Sequence, residues 1–156
     1  MGFPNAGKST FLNKVSSAKP KIANYPFTTL RPHLGTIKYS DNSFVIADIP
    51  GIIEGASDGH GLGIKFLKHI SRTGILLFFL EAFSEISVQD QFLKLKKELG
   101  DFSEKLLEKE FYIVVTKIDL IDEETRFETL NTFNSKEFTN VFGISSATGE
   151  GVQELL

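Results

Sequence analysis

An eight-residue segment near the start of the chain carries the clearest chemical signal. It has glycine at its first and sixth positions and ends in lysine and serine, in the pattern G-x-x-x-x-G-K-S. Such a loop wraps backbone N–H groups around the α- and β-phosphates of a nucleotide. Its lysine reaches the β- and γ-oxygens, and its serine hydroxyl binds Mg²⁺. The residues expected to contact a nucleotide here are Gly2, Phe3, Pro4, Asn5, Ala6, Gly7, Lys8, Ser9 and Thr10.

A surface turn rich in glycine and proline is the alternative for this segment. The residues after it oppose that alternative, because Phe11, Leu12 and Val15 can form the apolar face of a helix over residues 10–15. A helix that opens at the loop adds its N-terminal dipole to a phosphate site. The loop would also follow a buried strand, and no strand precedes Gly2. We therefore expect a chain that lacks the first strand of its domain.

Further residues suit Mg²⁺ and a terminal phosphate, together with Ser9. Asp48 closes a predicted strand and opens a D-x-x-G segment, where it can hold a Mg²⁺-bound water while the Gly51 N–H contacts the γ-phosphate. A plain turn is the alternative for the D-x-x-G segment. The position of this segment directly after a predicted strand opposes that alternative.

Thr28 and Thr29 lie before this strand, and a hydroxyl there can join Mg²⁺ and the γ-phosphate. Two solvated threonines are the alternative.

The segment Thr116-Lys-Ile-Asp119 has the chemistry to recognise a guanine base. The Asp119 carboxylate can accept hydrogen bonds from both N1–H and the 2-amino group of guanine, which adenine does not offer. The stem of Lys117 can pack along the base. A helix cap is the alternative, with Asp119 or Asp122 starting the next helix.

The last predicted strand ends in a loop that can complete a base pocket. Ser145, Ser146 and Ala147 follow this strand and can offer a backbone N–H to the O6 atom of guanine. The three residues carry little information by themselves. Their order and spacing relative to the other motifs support the assignment.

Strands and helices alternate along the chain, and each motif follows a strand. Predicted strands cover residues 35–39, 43–47, 75–80, 111–115 and 140–144; predicted helices cover 10–15, 64–71, 88–109 with a break near Gly100 and Asp101, 122–133, and a segment from Val152. Continuous apolar strands between helices indicate an α/β fold with a mostly parallel sheet and helices on both faces. The strands over residues 35–39 and 43–47, joined by a turn over residues 40–42, are predicted to form a hairpin that supplies one antiparallel edge. Ligands bind such sheets at the carboxyl ends of the strands.

The composition restricts the class of protein. A chain of 156 residues fits one domain, and we see no linker or repeat that indicates a second. Its net charge of −3 offers no bulk argument for nucleic acid, and we expect no direct DNA binding. The absence of cysteine excludes disulfides and fits a cytoplasmic protein. No apolar run approaches the roughly 18 residues that a membrane span requires.

Taken in order, these motifs resemble a P-loop GTPase of the Ras-like superfamily, and more closely the Obg family. The segments that carry the resemblance are GFPNAGKST from Gly2, YPFTTL from Tyr25, DIPGIIEGA from Asp48, GLG from Gly61 and FLKHI from Phe66. The resemblance covers nearly the whole chain. It implies a G domain cut short at both ends, without the family's N-terminal glycine-rich domain.

The resemblance also implies an activity and partners. These are slow, Mg²⁺-dependent hydrolysis of GTP to GDP, a role in assembly of the large ribosomal subunit, and a link to the guanosine tetraphosphate stress signal. Lys8, Thr29 and Gly51 would be the catalytic residues, with Ser9, Thr29 and Asp48 at the metal. Thr29 is preferred to Thr28 because related GTPases share the second threonine.

Several positions depart from common GTPase patterns. Ile52 stands where many GTPases have a glutamine that orients water, which predicts slow turnover or a supplied catalytic group. Asn5 matches GTPases that bind K⁺ beside the phosphates. Thr116 replaces an asparagine that would tie the base motif to the phosphate loop, which predicts weaker nucleotide affinity. Glu81 and Phe83 replace Asp and Ser in an Asp-x-Ser segment.

A docking module with little hydrolysis is the alternative function. The base motif disfavours a third possibility, an ATPase.

Overall fold

The computed structural model describes residues 1–17, 19, 21–22, 33–48, 73–133, 138 and 140–156. The strands are β1 (Lys21–Ile22), β2 (His33–Tyr39), β3 (Asn42–Asp48), β4 (Ile75–Glu81), β5 (Glu110–Thr116) and β6 (Val141–Ile144). The helices are α1 (Lys8–Val15), α2 (Val88–Phe102), α3 (Glu123–Asn131) and α4 (Val152–Leu155), with 3₁₀ turns at Glu104–Leu106 and Ile118–Leu120. None of the helices in this described part is long and apolar enough to cross a membrane. The predicted helix over residues 64–71 and the site residues Thr28, Thr29 and Gly51 lie outside the described residues.

Strands β4, β5 and β6 form a parallel sheet in that order. Glu81 at the end of β4 pairs with Thr116 at the end of β5, and Thr116 pairs with Ile144 at the end of β6. The register therefore brings the carboxyl ends of all three strands level with one another. The predicted parallel strands are confirmed, and their observed ends lie within one residue of the predicted ends.

Alternate residues along the strands of this sheet pack against helices on its two opposite faces. Phe78 and Leu80 lie in a buried cluster with side chains of α2, including Leu95. Phe79 lies in a second cluster with Phe11 of α1. Because side chains of a strand alternate between its faces, the two clusters lie on opposite sides of the sheet. The expectation of helices on both faces is confirmed.

Phenylalanines fill much of the core by edge-to-face contacts. Phe92 of α2 is central, with ring centroids 5.2 Å from Phe78 and 5.8 Å from Phe133. On the other face of the sheet, Phe11 and Phe79 lie 5.3 Å apart. Each such pair contributes about 0.5–1.5 kcal/mol beyond its buried area. The packing accounts for several of the fifteen phenylalanines in the chain.

Strands β1, β2 and β3 form an antiparallel sheet, in which β2 and β3 are the predicted hairpin. Tyr39 pairs with Asn42 across a two-residue turn, and Ser40 in that turn has a φ of 52°. The strands are longer by one or two residues at some ends than predicted, so Asp48 is the last residue of β3. In the described part, the strands therefore form one parallel and one antiparallel sheet of three strands each.

The predicted break in the long helical region near Gly100 and Asp101 is confirmed, and it lies at Ser103, two residues beyond Asp101. Helix α2 continues through both residues to Phe102 and ends at Ser103, whose N–H donates to the Leu99 carbonyl at 2.9 Å. A Cβ atom at position 100 would lie 3.1 Å from Cδ1 of Leu107. Glycine at this position therefore allows a close approach of the following segment and does not end the helix.

A close approach between α1 and β2 gives a test of this packing. A Cβ atom at Gly35 would lie 2.5 Å from Cδ1 of Leu12, which is itself buried. We expect Gly35→Ala to lower the free energy of unfolding by about 1–3 kcal/mol, because the core must shift to admit the methyl group. Gly74→Ala is the control, since no atom of the described residues lies within 4 Å of its Cβ position. Urea unfolding of both variants checks this, and equal midpoints would contradict the packing described.

Candidate functional site

The phosphate-loop segment forms a tight turn that leads into α1. Gly2 forms a parallel bridge with Phe79 of β4, and the chain then turns so that α1 begins at Lys8. Asn5 has a φ of 64°, and Gly7, directly before the helix, has a φ of 83°. Left-handed residues in such a turn help to point successive N–H groups into one concavity, which favours anions. No acidic residue of α1 itself lies in its first turn, so none within the helix opposes a phosphate at its positive end.

The Lys8 ammonium lies over this loop. Its Nζ donates to the carbonyl oxygens of Gly2 at 2.7 Å and Phe3 at 2.8 Å. An ammonium has three donors, so one remains for a phosphate oxygen. Burial lowers the pKa of Lys8 below its usual value, and the Asp48 carboxylate partly opposes this shift. The lysine is therefore a partly desolvated cation that a phosphate would stabilise.

Ser9 and Asp48 come together from distant parts of the chain. The Ser9 hydroxyl donates to Oδ2 of Asp48 at 3.0 Å. Asp48 is only 8% exposed, and its Oδ1 atom is buried without a hydrogen-bond partner among the described residues. An unpaired buried carboxylate oxygen is unfavourable unless a cation or donor satisfies it. A hydroxyl and a carboxylate oxygen are ligands that Mg²⁺ prefers, so these residues fit that metal.

Thr116 connects the base motif to the phosphate loop. Its side chain is buried, and Oγ1 lies 3.0 Å from the Ala6 carbonyl oxygen and 3.2 Å from that of Leu80. From the sequence, we expect that threonine, unlike asparagine, does not connect the base motif to the phosphate loop. That expectation is wrong, because the Thr116 hydroxyl at the end of β5 contacts the Ala6 carbonyl of the loop. A weaker nucleotide affinity stays a prediction.

The residues after Thr116 hold Asp119 at the surface. Lys117 has a φ of 60° and caps the 3₁₀ turn Ile118–Leu120, in which Asp119 is exposed. The helix-cap alternative applies to Asp122, whose Oδ1 accepts a hydrogen bond from the Thr125 N–H at 2.8 Å. This hydrogen bond, together with one from the Thr125 hydroxyl, lowers the pKa of Asp122. Because a different acid caps α3, the Asp119 carboxylate remains open to a ligand.

The loop after β6 has only some of its amides open to a base. The N–H of Ser145 donates to the Glu150 carbonyl at 3.0 Å, so it is already used. Within the described part, Ser146 and Ala147 form no such backbone bond through their N–H groups. The Ala147 carbonyl accepts from Nζ of Lys14 at 3.2 Å, which connects this loop to α1. We did not predict that contribution of Lys14, since no pattern along the chain indicates it.

The described candidate residues therefore meet at one edge of the parallel sheet. The phosphate loop contacts Thr116, and the Ser145 loop directly follows the strand that pairs with Thr116. Thr29 and Gly51 lie outside the described residues. The arrangement offers backbone donors and a lysine to phosphates, oxygen ligands to a cation, and a carboxylate to a base.

Comparisons with known proteins agree with this chemistry. A family model described as 50S ribosome-binding GTPase matches residues 1–117. The GTPase Obg of Chloroherpeton thalassium is 53% identical over 156 residues, which cover 99% of this chain and 45% of that protein. The GTPase Obg of Magnetococcus marinus is 48% identical over 162 residues, which cover 100% of this chain and 42% of that protein. The resemblance to Obg GTPases is confirmed, and the chain spans less than half the length of these relatives.

Solved structures share the fold. The G domain of the FeoB iron transporter of T. maritima matches with a TM-score of 0.66 and 24% identity, over 99% of this chain and 89% of that one. The cytosolic domain of FeoB from L. pneumophila matches with a TM-score of 0.69 and 18% identity, over 99% of this chain and 58% of that one. At these identities the matches establish the G-domain fold alone, which confirms the predicted fold class.

The Thr116 contact gives a test of how the site is held together. Thr116→Val keeps the shape of the side chain and removes its hydroxyl, and with it the single O–H donor that lies within reach of the Ala6 and Leu80 carbonyls. We expect the free energy of unfolding to fall by about 1–3 kcal/mol. Thr36→Val, on an exposed position of β2, is the control and should change it by less than about 0.5 kcal/mol. Equal unfolding curves for both variants would show that the buried hydroxyl contributes nothing.

Proposed function

This chain belongs to the family of 50S ribosome-binding GTPases, and from that premise we propose that it binds guanine nucleotides and hydrolyses GTP to GDP and phosphate. One observation supports the proposal most directly. The Thr116 hydroxyl joins the phosphate loop to the base motif, so a base and its phosphates would be held by one connected unit. A nucleotide bound or released there acts as a switch on any segment that contacts its γ-phosphate.

Each part of the nucleotide has a proposed partner. The N–H groups of the loop take the α- and β-phosphates, and Lys8 takes the β- and γ-oxygens. Asp119 with the Ser146 and Ala147 amides takes the base. Ser9, Asp48 and Thr29 are the residues that would hold Mg²⁺. The bound Mg²⁺ would neutralise charge on the phosphates. Lys8, Thr29 and Gly51 are the proposed catalytic residues, and they act by electrostatic stabilisation.

Two positions bear on the rate of hydrolysis. Ile52, directly after the D-x-x-G segment, has an aliphatic side chain that neither orients water nor stabilises charge, so we propose slow turnover by this domain alone. Asn5 lies in the turn of the phosphate loop, at the position that related GTPases use to bind K⁺. We propose that K⁺ held there supplies positive charge beside the phosphates.

The cellular role is proposed from the family. We propose a cytoplasmic switch in assembly of the large ribosomal subunit, with a link to the guanosine tetraphosphate stress signal. The relatives are more than twice as long as this chain, so the ribosome contacts are proposed for the whole protein. The second candidate is a nucleotide-dependent docking module with little hydrolysis, which Ile52 favours.

Binding of labelled GDP tests the guanine site. With Mg²⁺ present, we expect micromolar or tighter binding that GTP displaces and ATP does not. Asp119→Ala should weaken GDP binding by about 100-fold or more, because the base loses a charged acceptor. Asp122→Ala is the matched control: it removes a nearby acid that caps α3 and should leave GDP affinity unchanged. Equal losses in both variants, or displacement by ATP, would contradict the proposal.

Phosphate release in KCl and in NaCl tests catalysis and the cation together. We expect release without any partner, faster in KCl by about tenfold or more, because one cation at the developing charge has an effect of this order. Asn5→Gly keeps the left-handed backbone and removes the side-chain oxygen, so it should abolish the difference between the salts. Equal rates in the two salts would remove K⁺ from the proposal. No release in either salt, with GDP binding intact, would favour the docking module.

A further inference from the structure

The Lys117 ammonium forms an ion pair with the Glu81 carboxylate. Its Nζ lies 2.5 Å from Oε1 of Glu81, at the carboxyl end of β4. The Glu81 side chain is only 19% exposed and that of Lys117 32% exposed. The pair is therefore less screened by solvent and salt than a pair on the open surface.

A buried glutamine holds the backbone of Glu81 in place. Gln91 of α2 is 2% exposed, and its Oε1 accepts a hydrogen bond from the Glu81 N–H at 2.8 Å. Its Nε2 donates to the carbonyl oxygens of Glu81 at 2.9 Å and Ile86 at 2.8 Å. These three bonds join the end of β4 to α2 and to the loop between them. The backbone from which the Glu81 side chain extends is therefore held in place.

The backbone at Lys117 is also held, since its carbonyl accepts a hydrogen bond from the Leu120 N–H at 3.0 Å. The carbonyl of the preceding residue, Thr116, accepts a hydrogen bond from the Ala82 N–H at 3.0 Å, and the Thr116 hydroxyl contacts the phosphate loop. With both backbones fixed, the long lysine side chain is the part that can still move. A free lysine side chain has considerable rotamer entropy, and ordering it on ligand binding would weaken that binding.

We propose that Glu81 is a positioning residue for the base motif, because its carboxylate holds the Lys117 ammonium and so orders the alkyl stem along which a guanine ring packs. The inference rests on the proposed guanine-nucleotide site. Lys117 lies between Thr116, which contacts the phosphate loop, and the exposed carboxylate of Asp119. An ordered stem lengthens the residence of the nucleotide, since changes within one binding site act mainly on the dissociation rate.

Release of labelled GDP from Glu81→Gln measures the effect. We expect release about two- to fivefold faster than from the unmodified chain, the range of a partly exposed ion pair. Glu81→Asp keeps the charge on a shorter side chain and should retain more of the original residence time. Glu85→Gln removes the same charge from an exposed position on the same loop and should leave release unchanged. In a Lys117→Met background, Glu81→Gln should have no further effect, because Glu81 acts through the ammonium.

The outcomes distinguish the proposed role of Glu81 from the proposed guanine-nucleotide site. An unmodified chain that binds no GDP overturns the guanine site, and the inference with it. If GDP binds but Glu81→Gln releases it at the same rate as Glu85→Gln, only the role of Glu81 is overturned. An equal acceleration in the Lys117→Met background also overturns it, since Glu81 would then act by another route. If Glu81→Gln does not fold, Glu81→Asp in the two backgrounds provides the same comparison.

Discussion

The candidate site depends on one buried hydroxyl, that of Thr116. It lies within hydrogen-bonding distance of the Ala6 carbonyl in the phosphate loop and of the Leu80 carbonyl at the end of β4. Two parts of the chain more than a hundred residues apart therefore share one polar contact in the core. Because a buried carbonyl without a partner is costly, the loop and the strand ends are held in one arrangement.

The packed sheet holds that contact in place. Parallel pairing brings Glu81, Thr116 and Ile144 level, and the side chains on the two faces are buried against different helices. Close packing of aromatic rings resists shifts of register, because a shift of one residue would exchange the two faces. The strand ends are therefore fixed relative to α1, whose first residues are Lys8 and Ser9.

The site is arranged for charges that a ligand would bring. Burial disfavours the charge on Lys8, and the Oδ1 atom of Asp48 is buried without a partner in the described part. The fold itself holds both groups, Lys8 through the Gly2 and Phe3 carbonyls and Asp48 through the Ser9 hydroxyl. A phosphate with Mg²⁺ would satisfy both at once, since it would supply negative charge to the lysine and positive charge to the carboxylate.

Local patterns along the chain determined the motifs, the parallel strands and the family, because glycine spacing and continuous apolar runs act over a few residues. They placed the end of α2 near Gly100 and Asp101, but did not show that the glycine admits Leu107 and that the helix continues to Phe102. They also could not show that Thr116 reaches Ala6, that Lys117 pairs with Glu81, or that Lys14 contacts the Ala147 carbonyl. Each of these contacts joins residues that are distant along the chain and become neighbours only when the strands pair and the helices pack. Tertiary structure decided them because strand register and helix packing, which no local pattern contains, set which side chains meet.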